Sequence, residues 1–350
     1  MKGIKVENGM RDKWGPLPSV MWAGIKKCCA VARVSRLVVA ILLALSVLAC
    51  GGAARSGAGG DSRTGEENEI DLRKDLVYTT HGDEELNLDL AIPSKGKGPF
   101  PAILFIRKGL WYVSSGGTKD EHRKDILLAA QRGFVGVAPN YRGLEKEPSG
   151  EEYRNAFPAP FHDIQAAVRW LRRNAEEYSI DPKHIGAYGE GSGGELALLL
   201  GYVDSDDEIS KDAEQEVSGK VQAVVHAEGI IDIPATLALG EEDPMKISMR
   251  YREYAEKHVG GRQVASEELF RKASPITYID EGDAPTLTLQ GKLATWAPIQ
   301  VAESFDRRIR RAGVEHTFVL RPNLGNRVSE LWNRQDEFPV WDFLDTHLKP

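Results

Sequence analysis

Eight histidines and one glycine-flanked serine are the residues of this chain best equipped for chemistry. The serine is Ser192, within Gly189-Glu190-Gly191-Ser192-Gly193-Gly194; the histidines are His81, His122, His162, His184, His226, His258, His316 and His347. A serine on a tight strand-to-helix turn attacks an acyl carbon when a base takes its proton and an acid orients the base. The usual frame of that turn is Gly-x-Ser-x-Gly. The frame that begins at Gly189 has Gly191 where the serine belongs, with the hydroxyl one residue late. A frame centred on Ser192 puts Glu190 two places before it, where the strained turn wants a tiny residue. Other chemistries are poorly supplied. The cysteines are Cys28, Cys29 and Cys50, so beyond residue 50 a disulfide framework, a thiolate metal site and a cysteine nucleophile are excluded. The chain has no His-Glu-x-x-His pair and no Walker-type phosphate loop. The expectation is neither metal nor cofactor.

The elements that must position these residues follow from apolar periodicity. "DLVYTT" and "LNLDLAI" read as an antiparallel pair, and "PAILFI" (101–106) as a buried strand. "KDILLAAQRG" is a helix stopped by Gly133, and "FVGVA" (134–138) a strand. From Phe161 to Tyr178, the residues Ile164, Val168, Leu171, Ala175 and Tyr178 form one stripe at helical spacing. "HIGAYG" (184–189), "VQAVVHA" (221–227), "PTLTLQ" (285–290) and "HTFVL" (316–320) are further strands. Helices fall over 195–202, over "VAESFDRRIRRAG" with Gly313 as its stop, and over "FPVWDFLDTHL". Short continuous apolar strands separated by helices predict an α/β fold, a mostly parallel sheet with helices on both faces. Sites in such sheets form at the carboxyl ends of strands. The stretch 204–280, richer in acid and poorer in strands, is expected to be a helical cap over that edge.

The chain's net charge of −7 is unevenly spread. Residues 1–50 hold eight Lys/Arg against Glu7 and Asp12, a surplus of +6, which leaves −13 for the remainder. An acidic body argues against nonspecific nucleic-acid binding. The apolar run Leu37–Leu48 follows basic residues, is short for a membrane span, and ends in Val47-Leu48-Ala49-Cys50. It resembles a bacterial lipobox, which implies lipidation of Cys50 and an exported body held at a membrane, periplasmic or on the cell surface. A simple amino-terminal anchor is the plainer alternative, and Met21 an alternative start. Residues 51–70, rich in Gly, Ala, Ser and charge, read as a tether to a body spanning 71–350.

Order and wording in the body resemble the α/β-hydrolase fold, nearest to feruloyl-esterase-like and hormone-sensitive-lipase-like carboxylesterases. "FPAPFHDIQAAVRWLRRNAEEYSIDPKHIGAYG" is similar to the phrase that precedes the nucleophile turn in those enzymes. Four loops carry the family's chemistry. The oxyanion loop, like H-G-G-G-W, is here Arg107-Lys108-Gly109-Leu110-Trp111. The turn, like G-x-S-A-G-G-H-L-A, is Gly189 to Ala197 with Gly191 at the nucleophile. The acid loop, like H-G-x-x-D-x-x-V-P, is Gln290 to Pro298 with Ala294 at the acid. The histidine loop, like P-x-x-G-H-G-F, is Pro322 to Val328 with Asn326 at the base. Gly189 to Gly194 also fits Gly-x-Gly-x-x-Gly, but the resemblance accounts for its strand context without a dinucleotide.

The resemblance therefore implies an esterase-like fold in which nucleophile, acid and base positions are all replaced. Gly191 offers no nucleophile, Ala294 cannot orient an imidazole, and Asn326 cannot accept a proton near neutral pH. Ser192 is the fallback nucleophile and His226 the least implausible fallback base. Arg107, Lys108, Lys292 and Arg327 stand in loops expected to converge at one mouth, with Gly109, Trp111, Glu190 and Gly193 beside them. One expectation is a pocket for an anion, such as a carboxylated or sulfated glycan or a peptide carboxylate, aided by a helix amino terminus. The plainer one is a self-paired charge cluster, Glu190 and Glu195 answering the basic residues. Three functions stay open: a catalytically inert, ligand- or partner-binding lipoprotein; a carboxylic-ester hydrolase using Ser192; and a purely structural envelope protein.

Overall fold

The computed structural model describes residues 70–349 apart from 112–118, 147–152, 211–215, 244, 246, 263 and 328–338. The leader, Cys50 and the tether lie outside the described residues. Strands β1 (Asp71–His81), β2 (Glu84–Ile92), β3 (Phe100–Ile106), β4 (Val135–Pro139), β7 (Ile180–Glu190), β8 (Ala223–Ala227), β9 (Thr286–Gly291) and β10 (His316–Arg321) form one sheet. Their order is β1-β2-β4-β3-β7-β8-β9-β10, and a short hairpin pairs β5 (Glu145–Lys146) with β6 (Tyr153–Arg154). From β4 to β10 every pair is parallel; β1–β2 and β2–β4 are antiparallel. Strand β1, on the outer edge, shifts register twice, between Arg73 and Leu76 and between Val77 and Thr79.

The two-residue side-chain period of a strand supplies both faces of the sheet. In β3, Ala102, Leu104 and Ile106 enter one core; Ile103 and Phe105 enter the other. The first core is closed by helices α2 (Ala159–Arg173), α3 (Ser192–Tyr202) and α7 (Ile299–Arg311), through Ile164, Val168, Leu171, Leu199, Phe305 and Ile309. The second is closed by α1 (Arg123–Gln131) and α8 (Val340–Leu348), through Ile126, Ala129, Trp341 and Leu344. Each Val, Leu, Ile or Phe side chain among them, fully buried, contributes about 1.5–3 kcal/mol. Helix α2 ends at Arg173, earlier than the stripe predicts; Asn174 caps it, its amide donating to the Trp170 carbonyl at 2.8 Å. Ala175 and Tyr178 still pack on the core from outside the helix.

Strand β8 lies inside the stretch 204–280 and belongs to the sheet, so the helical excursion begins after it, later than expected. It holds α4 (Ile233–Glu242), α5 (Tyr251–His258) and α6 (Glu267–Lys272). Asp232 and Ser266 cap α4 and α6, accepting from Ala235 and Leu269 backbone N–H groups. Ile233, Tyr251, Ala255 and Phe270 build a third core around Trp111 and Leu144, with Leu110 and Trp296 against it. The excursion is thereby bonded to the loops at the carboxyl edge of the sheet.

Candidate functional site

Strand β7 ends at Glu190 and α3 starts at Ser192, with Gly191 between them at φ 52°, ψ −115°. Its N–H donates to the Ala227 carbonyl at 3.1 Å, and its carbonyl accepts from Ile230 at 3.3 Å and Glu195 at 3.1 Å. The neighbouring glycines make this turn possible. A Cβ on Gly189 would sit 2.1 Å from the Gly193 carbonyl oxygen, and one on Gly193 would sit 2.2 Å from that of Ile106. At Gly191 a Cβ would meet nothing within 4 Å. Space does not demand glycine there; only the positive φ favours it.

This turn forms the floor of a cleft of about 310 Å³. The walls are Lys108, Gly109 and Leu110 from the loop after β3, Ala227 at the end of β8 with Glu228 and Ile230 after it, and Trp296 and Asn326 from the two loops beyond. Four motifs far apart in the sequence, from Lys108 to Asn326, thus meet at one mouth. Left-handed backbone gathers here too: Gly109 (φ 132°), Leu110 (52°), Gly191 (52°) and Glu228 (51°) line the cleft, and Trp111 (64°) lies just behind. A non-glycine residue in such a conformation costs about 1–3 kcal/mol and persists only where packing dictates it.

Of the three positions that the resemblance assigns to nucleophile, acid and base, Gly191 and Asn326 line the cleft, whereas Ala294 is buried and outside the lining. The Asn326 Oδ1 accepts from Thr295 N–H at 2.9 Å and Trp296 N–H at 3.4 Å, and its Nδ2 donates to Thr295 Oγ1 at 3.1 Å. The residue at the base position therefore ties the histidine loop to the acid loop. Asn326→Ala should cost about 1–2 kcal/mol and speed amide hydrogen exchange at Thr295; unchanged exchange there would show the tie to be idle.

Ser192 is buried, and among the described residues its Oγ makes no well-aligned hydrogen bond, the Tyr141 hydroxyl being the group in reach. Tyr141 lies beside it, donating its hydroxyl to the Arg107 carbonyl at 3.1 Å. Every histidine is engaged elsewhere: His81 with Asp163, His122 with Asp125, His162 with the Ile209 carbonyl, His184 with Asp181, and His347 with Glu315. His226, the fallback base, is fully buried; its Nε2 meets Thr288 Oγ1 at 2.8 Å and its Nδ1 accepts from Gly229 N–H at 3.2 Å. Thr288 Oγ1 in turn meets His316 Nε2 at 2.8 Å, and His316 Nδ1 meets Asp306 at 2.8 Å. Burial, with His316 nearby, pushes the His226 imidazole down to about 3. A group so disposed is a fixed neutral strut.

The four cations expected at the mouth do not converge. Lys108 alone lines the cleft, and its ammonium meets Glu190 at 2.9 Å, with Glu121 at 3.8 Å. Arg107 is buried, stacked 3.9 Å over the Tyr141 ring and donating to the Tyr141 carbonyl at 3.1 Å. Lys292 and Arg327 are exposed and outside the lining. Burial raises the Glu121 carboxyl, with Glu190 adding to the rise. With Glu190 and Glu228 facing one lysine, the lining carries no surplus positive charge for an anion; local pairing answers the basic residues instead. Gly193 is buried beneath the turn and lends backbone only.

Sequence reasoning missed a fully buried polar cluster next to the turn. Trp111 Nε1–H donates to Glu195 Oε2 at 2.6 Å, His258 Nε2 meets Glu195 Oε1 at 2.9 Å, and the Trp111 and His258 rings stack 3.8 Å apart at 13°. Glu195 and His258 have no exposed surface. Glu195 was expected to answer the basic residues, but it joins the oxyanion-type loop, the first turn of α3 and the end of α5. Burial raises its carboxyl above 4.5, opposed by His258 and then Trp111.

The BD-FAE family matches residues 88–309. Esterase LipC of Mycobacterium tuberculosis is 26% identical over 213 residues, covering 61% of this chain and 49% of its own length. Arylacetamide deacetylase of Bos taurus is 29% identical over 130 residues, 35% of this chain and 29% of its own. The chain spans about half the length of the mycobacterial relatives it matches. Among solved structures, a carbohydrate esterase from gut microbiota superposes with a TM-score of 0.64 at 22% identity, covering 81% of this chain and 99% of that one. A thermophilic esterase from Thermogutta terrifontis does so with a TM-score of 0.57 at 21% identity, covering 80% and 89%. At these identities the superpositions speak for the α/β-hydrolase fold.

Proposed function

Given that the chain belongs to the BD-FAE family of esterase-like α/β-hydrolase-fold proteins, we propose that it is a member without hydrolytic activity that binds a ligand or partner in the cleft over Gly191. The observation that carries this reading is the side-chain chemistry of an otherwise preserved cleft. Position 191 has no side chain, Asn326 is spent on the acid loop, and each histidine is engaged away from Ser192. Leu110, Ile230 and Trp296 offer an apolar wall, and the Lys108–Glu190 pair a self-neutralised polar edge. Such a surface suits an uncharged ligand with one apolar face, a neutral sugar or its acyl ester included, better than an anion. The lipobox resemblance at Cys50 supports placing this binding at the cell envelope on a lipid anchor.

The competing reading, an ester hydrolase built on Ser192, is favoured by one observation: the buried Ser192 Oγ borders the cleft, with the Tyr141 hydroxyl beside it. The two separate on one assay. Residues 51–350 should turn over 4-nitrophenyl acetate at the rate of buffer, and a serine-directed fluorophosphonate should label nothing. Turnover that Ser192→Ala abolishes would refute the inert reading.

A further inference from the structure

The acid of an esterase-type triad is not missing from this cleft: we propose that Glu228, at the end of β8, occupies its place and is poised to orient a base at position 326. This rests on the reading that the cleft is a hydrolase site lacking its nucleophile and base. Glu228 lines the cleft with Gly191, Ser192 and Asn326, and is 7% exposed. Its backbone is left-handed at φ 51°, a conformation that a glutamate does not adopt by preference. Its N–H donates to the Leu289 carbonyl at 3.0 Å, which fixes the residue against the end of β9.

Its carboxylate borders the histidine loop. A Cβ on Gly291 would lie 2.7 Å from Glu228 Oε1, 2.5 Å from the Gly325 carbonyl oxygen and 2.8 Å from that of Leu324. Glu228 Oε1 and the backbone immediately before Asn326 thus crowd one point. The backbone around it is linked to the nucleophile position: the Ala227 carbonyl and the Ile230 N–H, on either side of Glu228, hold the Gly191 N–H and carbonyl. The Ala294 position, buried and outside the cleft lining, is bypassed. The strain at Glu228 is thereby tied to a place in the site, next to the loop that carries the base.

The proposal predicts that two substitutions restore chemistry. Gly191→Ser finds open space at Cβ on a turn already set, and Asn326→His supplies the base. The new hydroxyl adds to an ester carbonyl as its proton passes to the imidazole. The adduct expels the alkoxide, which takes that proton and leaves as the alcohol. Water then adds to the acyl-serine, losing a proton to the same imidazole, and collapse returns it to the serine oxygen and frees the carboxylic acid. Glu228 would act through the imidazole, as a positioning residue.

The experiment compares the wild type, Gly191→Ser/Asn326→His, and that pair with Glu228→Gln or Glu228→Asp, on 4-nitrophenyl acetate. The double variant should exceed the wild-type rate by at least about 100-fold. Adding Glu228→Gln should lower kcat by about 10²–10⁴-fold with KM nearly unchanged, and Glu228→Asp should keep part of the gain. A double variant that folds and stays inert, or one indifferent to Glu228→Gln, would overturn the proposal. Asn326→His alone gives a readout that needs neither turnover nor the strained position 191. Its imidazole, followed by NMR, should titrate higher with Glu228 present than with Glu228→Gln, and equal titrations overturn the proposal too. Ester turnover by the unmodified chain would instead sink the inert reading, so the two failures are distinct.

Discussion

Glu195→Ala lowers the stability of the domain by about 3–5 kcal/mol, because it strands two buried donors at once. Trp111 Nε1–H and His258 Nε2–H both end on this carboxylate, and neither Glu195 nor His258 has exposed surface. Urea denaturation at pH 7 measures the loss, and a change below about 1 kcal/mol, the worth of one ordinary hydrogen bond, would show the cluster to be incidental. The loss should also be local. Since the cluster fastens α5 to α3 and to the loop after β3, hydrogen exchange should rise first over 251–259. The pH dependence has a definite sign. Burial holds the Glu195 carboxyl above 4.5 in the folded state. The folded chain therefore binds that proton more tightly than the unfolded chain does. Its contribution is present in full below 4.5 and is lost as pH rises through the raised value. Glu195→Gln, which cannot titrate, should remove that decline.

The second large effect lies on the acid side. His226, buried against Thr288 and Phe305, falls from the ordinary 6.5 to about 3 because burial penalises its charged form. A depressed folded value means that stability is complete above 6.5 and is lost as pH falls toward 3, while the unfolded chain takes up the proton. The span corresponds to about 4–5 kcal/mol. His316, lowered in the same direction by burial, steepens the limb. His226→Gln keeps a donor for Thr288 and should flatten the fall between pH 6.5 and 3 relative to the wild type. An unaltered acid limb would mean that the imidazole is not the group responsible.

Periodicity made the sheet legible. Continuous apolar runs such as "PAILFI" and "AVVHA" have one physical use, a strand covered on both faces, and each lies where it was expected. The turn at Gly189–Gly193 was legible for the same kind of reason: its glycines stand where neighbouring carbonyls leave no room for a Cβ. Charge was less informative, because a sequence gives the sign of a side chain and not its direction. Arg107 turns inward onto Tyr141, and Lys108, its neighbour, turns outward to Glu190. Contacts across the excursion were not readable at all. His258 meets Glu195 across 63 positions, and no local pattern marks either as a partner. Glu228 was invisible for a related reason: an acidic residue after a strand is ordinary until its neighbours in space are known.

The edge strand β1 bears on how copies of this protein meet. It is broken in register at two places, and Asp71, Arg73, Lys74 and Asp75 are exposed along its first half. Asp75 is left-handed, and Lys119 reaches out from the loop before α1 to hold it together with Asp89. An outer strand that is kinked and charged makes a poor template for another chain's backbone. Where copies of this protein meet edge to edge, this margin resists strand-to-strand pairing.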